Sequence, residues 1–317
     1  VYSFRPFHNW DLPALCRLWN EQPPQRGLAR HLTPYDFEQS TLGKPYFDRE
    51  GLIVALADER LVGFAHAGFG CCEEGRQIET DLGVTCMLMV DPAHQNSSLP
   101  TELLRRSESY LAERGAKVFY GGGIYPLSPF YWGLYGGSEL PGTLASDQFR
   151  QDLYRGHGYG LIDQVLVYQL ALANFRPVVN RQQMQWRRQT RFEPVSHPAP
   201  GSWWQAWTNG VLEPMGFRLI SKRDGRDLAM VTLWDLEPLS STWNTQAAGV
   251  LDVEVVPEYR RQGLATFLLT ESIKQLRDQG VNLVEVQAMQ GNQKARGLYE
   301  RLGFAQVDQG TVLRKGT

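Results

Sequence analysis

The chain has little of what nucleophilic and metal chemistry usually requires. Its six histidines, His8, His31, His66, His94, His157 and His197, are scattered, and none follows residue 197. Its four cysteines, Cys16, Cys71, Cys72 and Cys86, all fall in the first third and show no paired zinc-ligand spacing. No metal is expected, and the thiols are expected to be reduced and partly buried. No stretch approaches the roughly 18 uninterrupted apolar residues of a spanning helix, and the opening VYSFRPFHNW lacks the basic-then-apolar layout of a signal peptide. The expectation is a cytoplasmic protein with no membrane partner. Neither charge sign is in excess, with 32 Lys and Arg against 34 Asp and Glu, so nucleic acid is not an expected partner either. An anionic ligand would have to be held by a local device.

What is present is a repeat. VVPEYRRQGLATFLL, Val255 to Leu269, has an echo 165 positions earlier in VDPAHQNSSLPTELL, Val90 to Leu104. Val255 falls on Val90, Pro257 on Pro92, Leu264 on Leu99, and Leu268 and Leu269 on Leu103 and Leu104. A later match, GLYERLGFA around Tyr299 on DLYRGHGYG around Tyr154, has an offset of 145. The first copy therefore carries extra residues between the two landmarks, mostly the Gly- and aromatic-rich stretch 121–142 with Tyr125, Phe130, Tyr131, Trp132 and Tyr135. Such a stretch reads as a lid or binding loop, a self-packed loop, or a contact between domains.

Periodicity predicts the same element order twice. The first half reads as a strand at 2–7, a helix at 11–20, a hairpin at 52–68, then strand 82–90, helix 99–114, strand 117–120, helix 146–156 and strand 161–172. The second reads as a strand at 189–195, a Trp-rich helix at 202–212, a hairpin at 217–233, then strand 250–256, helix 264–279, strand 281–288, helix 292–302 and a terminal strand. The chain thus divides into residues 1–173, a polar linker at 174–188 containing Pro177, and residues 189–317. Each half is an α/β (α+β) unit with a mixed sheet, large enough for its own core.

The turn EYRRQGLA is the candidate anion site. Gly263 permits positive φ and close approach, Ala265 keeps the first helical turn open, and successive backbone N–H groups at a helix N-terminus attract an anion. Arg260 and Arg261 add side-chain charge, a combination that suits a pyrophosphate. Neither GxGxxG nor GK[ST] is present, which excludes a dinucleotide fingerprint and a P-loop. The preceding strand GVLDVEVVP alternates, with Leu251, Val253 and Val255 on one face and Asp252 and Glu254 on the other. Either carboxylate could act as a general base, or the pair could lie on a solvated face. Asn292 can cap the next helix, Gly303 can close it, and Tyr299 lies two turns along; its phenol is a fit acid toward a leaving thiolate.

With these residues in place, the second half resembles the GNAT superfamily of acyl-CoA-dependent N-acyltransferases. Its pyrophosphate pattern stands as Arg260, Gly263 and Ala265, and its later pattern as Asn292, Ala295, Tyr299, Gly303 and Phe304. The resemblance implies acetyl-CoA as co-substrate, with pantetheine along Val255 and Val256 and pyrophosphate on the amides of Arg261, Gln262, Gly263, Leu264 and Ala265. It further implies cofactor contacts from Asn292 and Ala295, Tyr299 as the acid, and direct transfer in a ternary complex. Glu254, nearest the turn, is the candidate base, and a primary amine of a small molecule is the expected acceptor. The first half resembles a degenerate copy. Gln95, Ser98, Pro100 and Asp147 stand where Arg260, Gly263, Ala265 and Asn292 do, and Tyr154 is expected only to pack. The tandem layout is similar to that of the mycothiol synthase type. A non-catalytic acyl-CoA sensor and transfer onto a peptide or protein N-terminus remain open alternatives.

Overall fold

A computed structural model describes residues 1–209 and 212–316. The first half runs β1 (Tyr2–Pro6), α1 (Leu12–Asn20), α2 (Pro34–Phe37), β2 (Leu52–Ala57), β3 (Arg60–Cys71), β4 (Ile78–Val90), α3 (Leu99–Glu113), β5 (Val118–Gly121), β6 (Thr143–Leu144), α4 (Gln148–Gly156) and β7 (Gly160–Ala171). The second runs α5 (Arg181–Gln189), β8 (Thr190–Ser196), α6 (Trp203–Thr208), β9 (Pro214–Ser221), β10 (Asp227–Asp235), α7 (Glu237–Trp243), β11 (Ala247–Val255), α8 (Leu264–Asp278), β12 (Leu283–Met289), α9 (Gln293–Arg301) and β13 (Ala305–Gly316).

Within each half the antiparallel strands end in one parallel pair, β4 with β5 and β11 with β12. The halves then exchange their last strands. β7, from the first half, pairs antiparallel with β12, and β13, from the second, pairs with β5, while β7 and β13 also pair with each other. The result is one mixed sheet ordered β1-β2-β3-β4-β5-β13-β7-β12-β11-β10-β9-β8, with β6 on β13. Burial follows the exchange. Leu166, Tyr168 and Leu170 of β7 sit in the core of the second half with Leu264 and Leu268 of α8, and Leu313 of β13 sits in that of the first with Leu103 and Leu104 of α3.

The duplicated helices α3 and α8 form for the same reasons. Leucines at Leu99, Leu103 and Leu104, and at Leu264, Leu268 and Leu269, make one apolar stripe. Each helix ends at a glycine with positive φ, Gly115 at 102° and Gly280 at 91°. The polar stretch after β7 contains α5, which Asn180 caps by accepting from the Gln183 backbone N–H. The Trp-rich helix, expected to run to Leu212, is α6 alone; residues 210 and 211 of the expected span lie outside the described residues. α7, not foreseen, braces the halves: Thr242 Oγ1 donates to Leu28 O at 3.0 Å and Trp243 Nε1 to Arg26 O at 2.8 Å.

Segment 122–142 is buried rather than exposed. Phe130, Tyr131, Trp132 and Tyr135 fill the largest core, which also takes in Trp234, Leu236 and Leu239 of the second half. Of the aromatics singled out in it, Tyr125 is exposed. The four cysteines are free and buried.

Candidate active site

β11 pairs with β12 only from Ala247 to Val250, opposite Leu283 to Val286, and beyond this the two strands part. The burial pattern of β11 follows: the first four residues are buried, and exposure alternates once the neighbour is gone. A bulge opens the gap. Leu233 of β10 faces Val250 and Thr232 faces Asp252, so Leu251 is the extra residue. The bulge also corrects the simple alternation expected for this strand. Leu251 packs against the core that contains Tyr131, whereas Val253 and Val255 pack against the core under α8.

At the mouth of the gap, Pro257–Tyr259 form one 3-10 turn and the chain enters α8 through Arg261 with φ 61° and Gly263 with φ 72°. A non-glycine residue in the left-handed region is uncommon, and alternating left- and right-handed residues turn successive N–H groups toward one side. The loop's carbonyls are tied back to α5: Trp186 Nε1 donates to Gln262 O at 2.6 Å and Gln183 Nε2 to Gly263 O at 3.2 Å. Among the described residues, none of the backbone N–H groups from Arg261 to Thr266 makes a hydrogen bond. Arg260 Nε closes back on Val255 O at 2.8 Å, and Arg260 and Arg261 are both exposed. Val256 N–H is taken by Leu228 O of β10 at 3.0 Å.

The third element stands opposite. Asn292 Oδ1 accepts from Ala295 N at 3.1 Å and caps α9, as its spacing predicts. Tyr299 is 7% exposed, and its hydroxyl has no hydrogen-bond partner among the described residues. Burial raises the phenol above its ordinary range, and the charges of Glu139 and Asp252 raise it further. Both carboxylates therefore lie within electrostatic reach of this hydroxyl. Glu254 is exposed and is not among the charges acting on Tyr299. Partial burial and the neighbouring Glu254 hold Asp252 above the usual carboxylate range. Glu139 was not singled out in the sequence: it sits in the inserted segment, and nothing local marks it. Two open cavities of about 550 and 530 Å³ lie on the first half beside Trp10 and Arg106, and they contain none of these residues.

The same region of the first half is closed. β4 and β5 part after Thr85 and Gly121, with a matching bulge at Cys86. The Tyr154 ring lies where a Cβ on Gly121 would meet it at 2.8 Å, and its hydroxyl donates to Thr85 O at 3.4 Å, which leaves the side chain fully buried. Val286 stands at the position matching Gly121, so Tyr299 has no such seat. At the start of α3 three of the six matching N–H groups are consumed or missing: Ser97 N donates to His94 O at 3.1 Å, Leu99 N to Ser97 Oγ at 3.1 Å, and Pro100 has none. Asp147 caps α4 and forms a buried ion pair with Arg150.

Two copies of a sheet whose parallel strands part at a bulge, with a helix N-terminus at the mouth of each gap, define a tandem acyltransferase fold. The model of the acetyltransferase (GNAT) family matches residues 12–121 and 166–304, and the chain belongs to that family. A comparison with curated proteins gives no match. Among solved structures the chain is similar to the GCN5-related glucosamine N-acetyltransferase region of a fungal multi-domain GH3 β-N-acetylglucosaminidase, with TM-score 0.69 and 16% identity, covering 99% of this chain and 38% of that one. It is also similar to a tandem GNAT protein from the clavulanic acid biosynthesis pathway, with TM-score 0.67 and 13% identity over 100% and 98% of the two chains. A GCN5-related N-acetyltransferase from Sphaerobacter thermophilus matches with TM-score 0.60 and 16% identity over 99% and 95%. At these identities the likeness is one of fold. Among the described residues no helix is long and apolar enough to cross a membrane.

Proposed function

We propose that the chain transfers an acyl group, acetyl in the first instance, from acyl-CoA to a primary amine of a small molecule, in the second half and by direct attack. The observation that carries this reading is the run of N–H groups from Arg261 to Thr266 left without partners, while the carbonyls of the same loop are held by α5. Oriented amides at the N-terminus of a fifteen-residue helix form an anion cradle, and a pyrophosphate is the anion that such a cofactor brings. Arg260 and Arg261 flank it, and Asn292 and Ala295 border it from α9. Val255 and Val256 provide the strand edge for pantetheine. Tyr299, a phenol with a free hydroxyl, would protonate the departing sulfur, and Asp252 and Glu254 would line the acceptor side. With no thiol or imidazole beyond residue 197, transfer would proceed without a covalent acyl-enzyme. Four buried free thiols suit a reducing compartment such as the cytoplasm.

Acetyl-CoA should raise the thermal midpoint by linkage, and Gly263→Asp should abolish the rise. At φ 72° the new side chain is strained, its Cβ meets Gln182 Oε1 at 2.6 Å, and its charge opposes phosphate. No shift with saturating acetyl-CoA would refute the proposal. Binding with no thiol release across a panel of amines would favour a sensor that only binds the cofactor.

A further inference from the structure

The inserted segment of the first half ends inside the second half's cleft. Ser138 N donates to Glu285 Oε1 at 2.7 Å, Trp234 Nε1 donates to Ser138 O at 3.0 Å, and Glu139 O accepts from Gln287 Nε2 at 2.9 Å. Glu285 lies on β12 where β11 still pairs with it, and Gln287 lies just past the point of parting. The backbone thus fixes Glu139 at the base of the gap, while its carboxylate enters no hydrogen bond or ion pair among the described residues. The titratable groups facing it are Asp252 from β11 and Tyr299 from α9; β12 offers the neutral Gln287. Burial, aided by the charge of Asp252, holds the Glu139 carboxyl up to about 8, a range suited to a base working on an ammonium near neutral pH. The Tyr299 hydroxyl, without a hydrogen-bond partner among the described residues, lies within electrostatic reach of the same carboxyl.

Resting on the acyltransferase reading above, we propose that Glu139 is the acceptor-side base of the transfer site. The acceptor is then a small primary amine with a second cationic group, seated between Glu139 and the outer carboxylates Asp252 and Glu254. Among the described residues none of the three has an arginine or lysine partner, Asp252 repels Glu139 and Glu254 repels Asp252, and a dication would relieve both. The substrate ammonium gives a proton to Glu139, and the freed nitrogen lone pair forms a C–N bond at the thioester carbonyl. The C–S bond breaks and the Tyr299 proton passes to the leaving thiolate. The second nitrogen proton then restores Tyr299, and Glu139 releases its own to solvent. Each turnover yields the amide, the free thiol and one net proton.

The test compares putrescine with n-butylamine as acceptors, with acetyl-CoA as donor and thiol release as the readout. Putrescine is expected to show a KM at least about tenfold lower, and Asp252→Asn to reduce that preference to under about threefold. Glu139→Gln is expected to lower kcat/KM about 100-fold and to remove the rise in kcat/KM with an apparent pKa near 8, leaving only the amine's own ionisation. Its acetyl-CoA thermal shift is retained. Folding has its own sign: a carboxyl raised on folding costs stability as pH climbs from its unfolded value, so the variant should match wild type near about pH 5 and melt higher near about pH 9. A Glu139→Gln enzyme with wild-type kcat/KM and pH profile, or equal use of the two amines, overturns the inference while leaving the acyltransferase reading intact. Absence of both an acetyl-CoA shift and thiol release in wild type would overturn that reading first, and this inference with it.

Discussion

Replacing Ala265 by proline removes one backbone N–H from the mouth of α8 and changes little else. Ala265 is the second residue of the helix, where the fixed φ of proline is accommodated and the amide has no intrahelical acceptor. The same chain supplies the control. Pro100 holds the matching place in α3, after Leu99 as Ala265 follows Leu264, and a fifteen-residue helix still forms. Because the lost amide makes no hydrogen bond in the free protein, the variant should stay within about 0.5 kcal/mol of wild-type stability. The effect should fall on the cofactor. A hydrogen bond to a charged group contributes about 2 kcal/mol net, so acetyl-CoA should bind about 30-fold more weakly. At a concentration of about 100 times the wild-type Kd, linkage stabilises wild type by about 2.7 kcal/mol and the variant by about 0.9. At roughly 1.5 °C per kcal/mol for a chain of this length, the ligand-induced rise in Tm should shrink from about 4 °C to about 1.5 °C. Scanning fluorimetry with and without acetyl-CoA reads both quantities. An unchanged ligand-induced rise in a normally folded variant would refute the amide cradle, and a collapsed free Tm would refute the premise that this amide is idle.

Tyr299→Phe should leave stability and acetyl-CoA affinity unchanged, because the hydroxyl has no partner, while thiol release falls by about 10²- to 10³-fold; steady-state kinetics with a responsive amine checks the split. Titration calorimetry should give one acetyl-CoA per chain, since Pro100 and the spent amides of Ser97 and Leu99 interrupt the α3 mouth where the α8 mouth offers an unbroken run; a stoichiometry of two would contradict this. Arg26→Ala should destabilise the protein by about 3 kcal/mol or more by leaving Glu285 buried without its cation. Burial already holds the Glu285 carboxyl above its ordinary range against Arg26, Gln169 and the Ser138 amide. Without Arg26 it rises further, so the loss should be smaller near about pH 5 than near about pH 8 in denaturant unfolding.

The duplicated frame was legible in the sequence because its signals are local: helical leucine spacing, glycines after helices, and a strand-turn-helix junction that repeats at a fixed offset. The cap at Asn292 and the left-handed Gly263 were legible for the same reason. The strand exchange was not. β7 and β13 each read as the last strand of its own half, and an apolar strand carries no mark of which half's neighbour it will pair with. Glu139 was hidden in another way. Its meaning depends on Ser138, Trp234, Glu285 and Gln287 meeting across two halves, contacts separated by about a hundred residues or more. The helix in the polar stretch before β8 escaped notice because its apolar contacts are few, Trp186 among them, and its polar side chains are used on the loop that it supports.

The asymmetry between the two copies follows from where each gap finds its filling. In the first half, Gly121 lets the Tyr154 ring settle onto the parting strands, and Phe130 and Tyr131 of the inserted segment close around His66, so the region has become core. That core is shared with the second half through Trp234, Leu236 and Leu239, and the exchanged strands β7 and β13 carry the sheet across the boundary. Decay of the first gap thus frees its loop to serve as scaffold: the same segment that seals one cleft at Tyr131 reaches the other at Glu139. A copy that had merely lost its cofactor loop would be dispensable. This one supplies the second half with a neighbouring strand for β12, the Arg26 partner of a buried carboxylate, and, in the reading above, a wall of the cleft beside Tyr299. The chemistry proposed for residues 247–305 therefore depends on residues before 172, and the two halves form one functional unit.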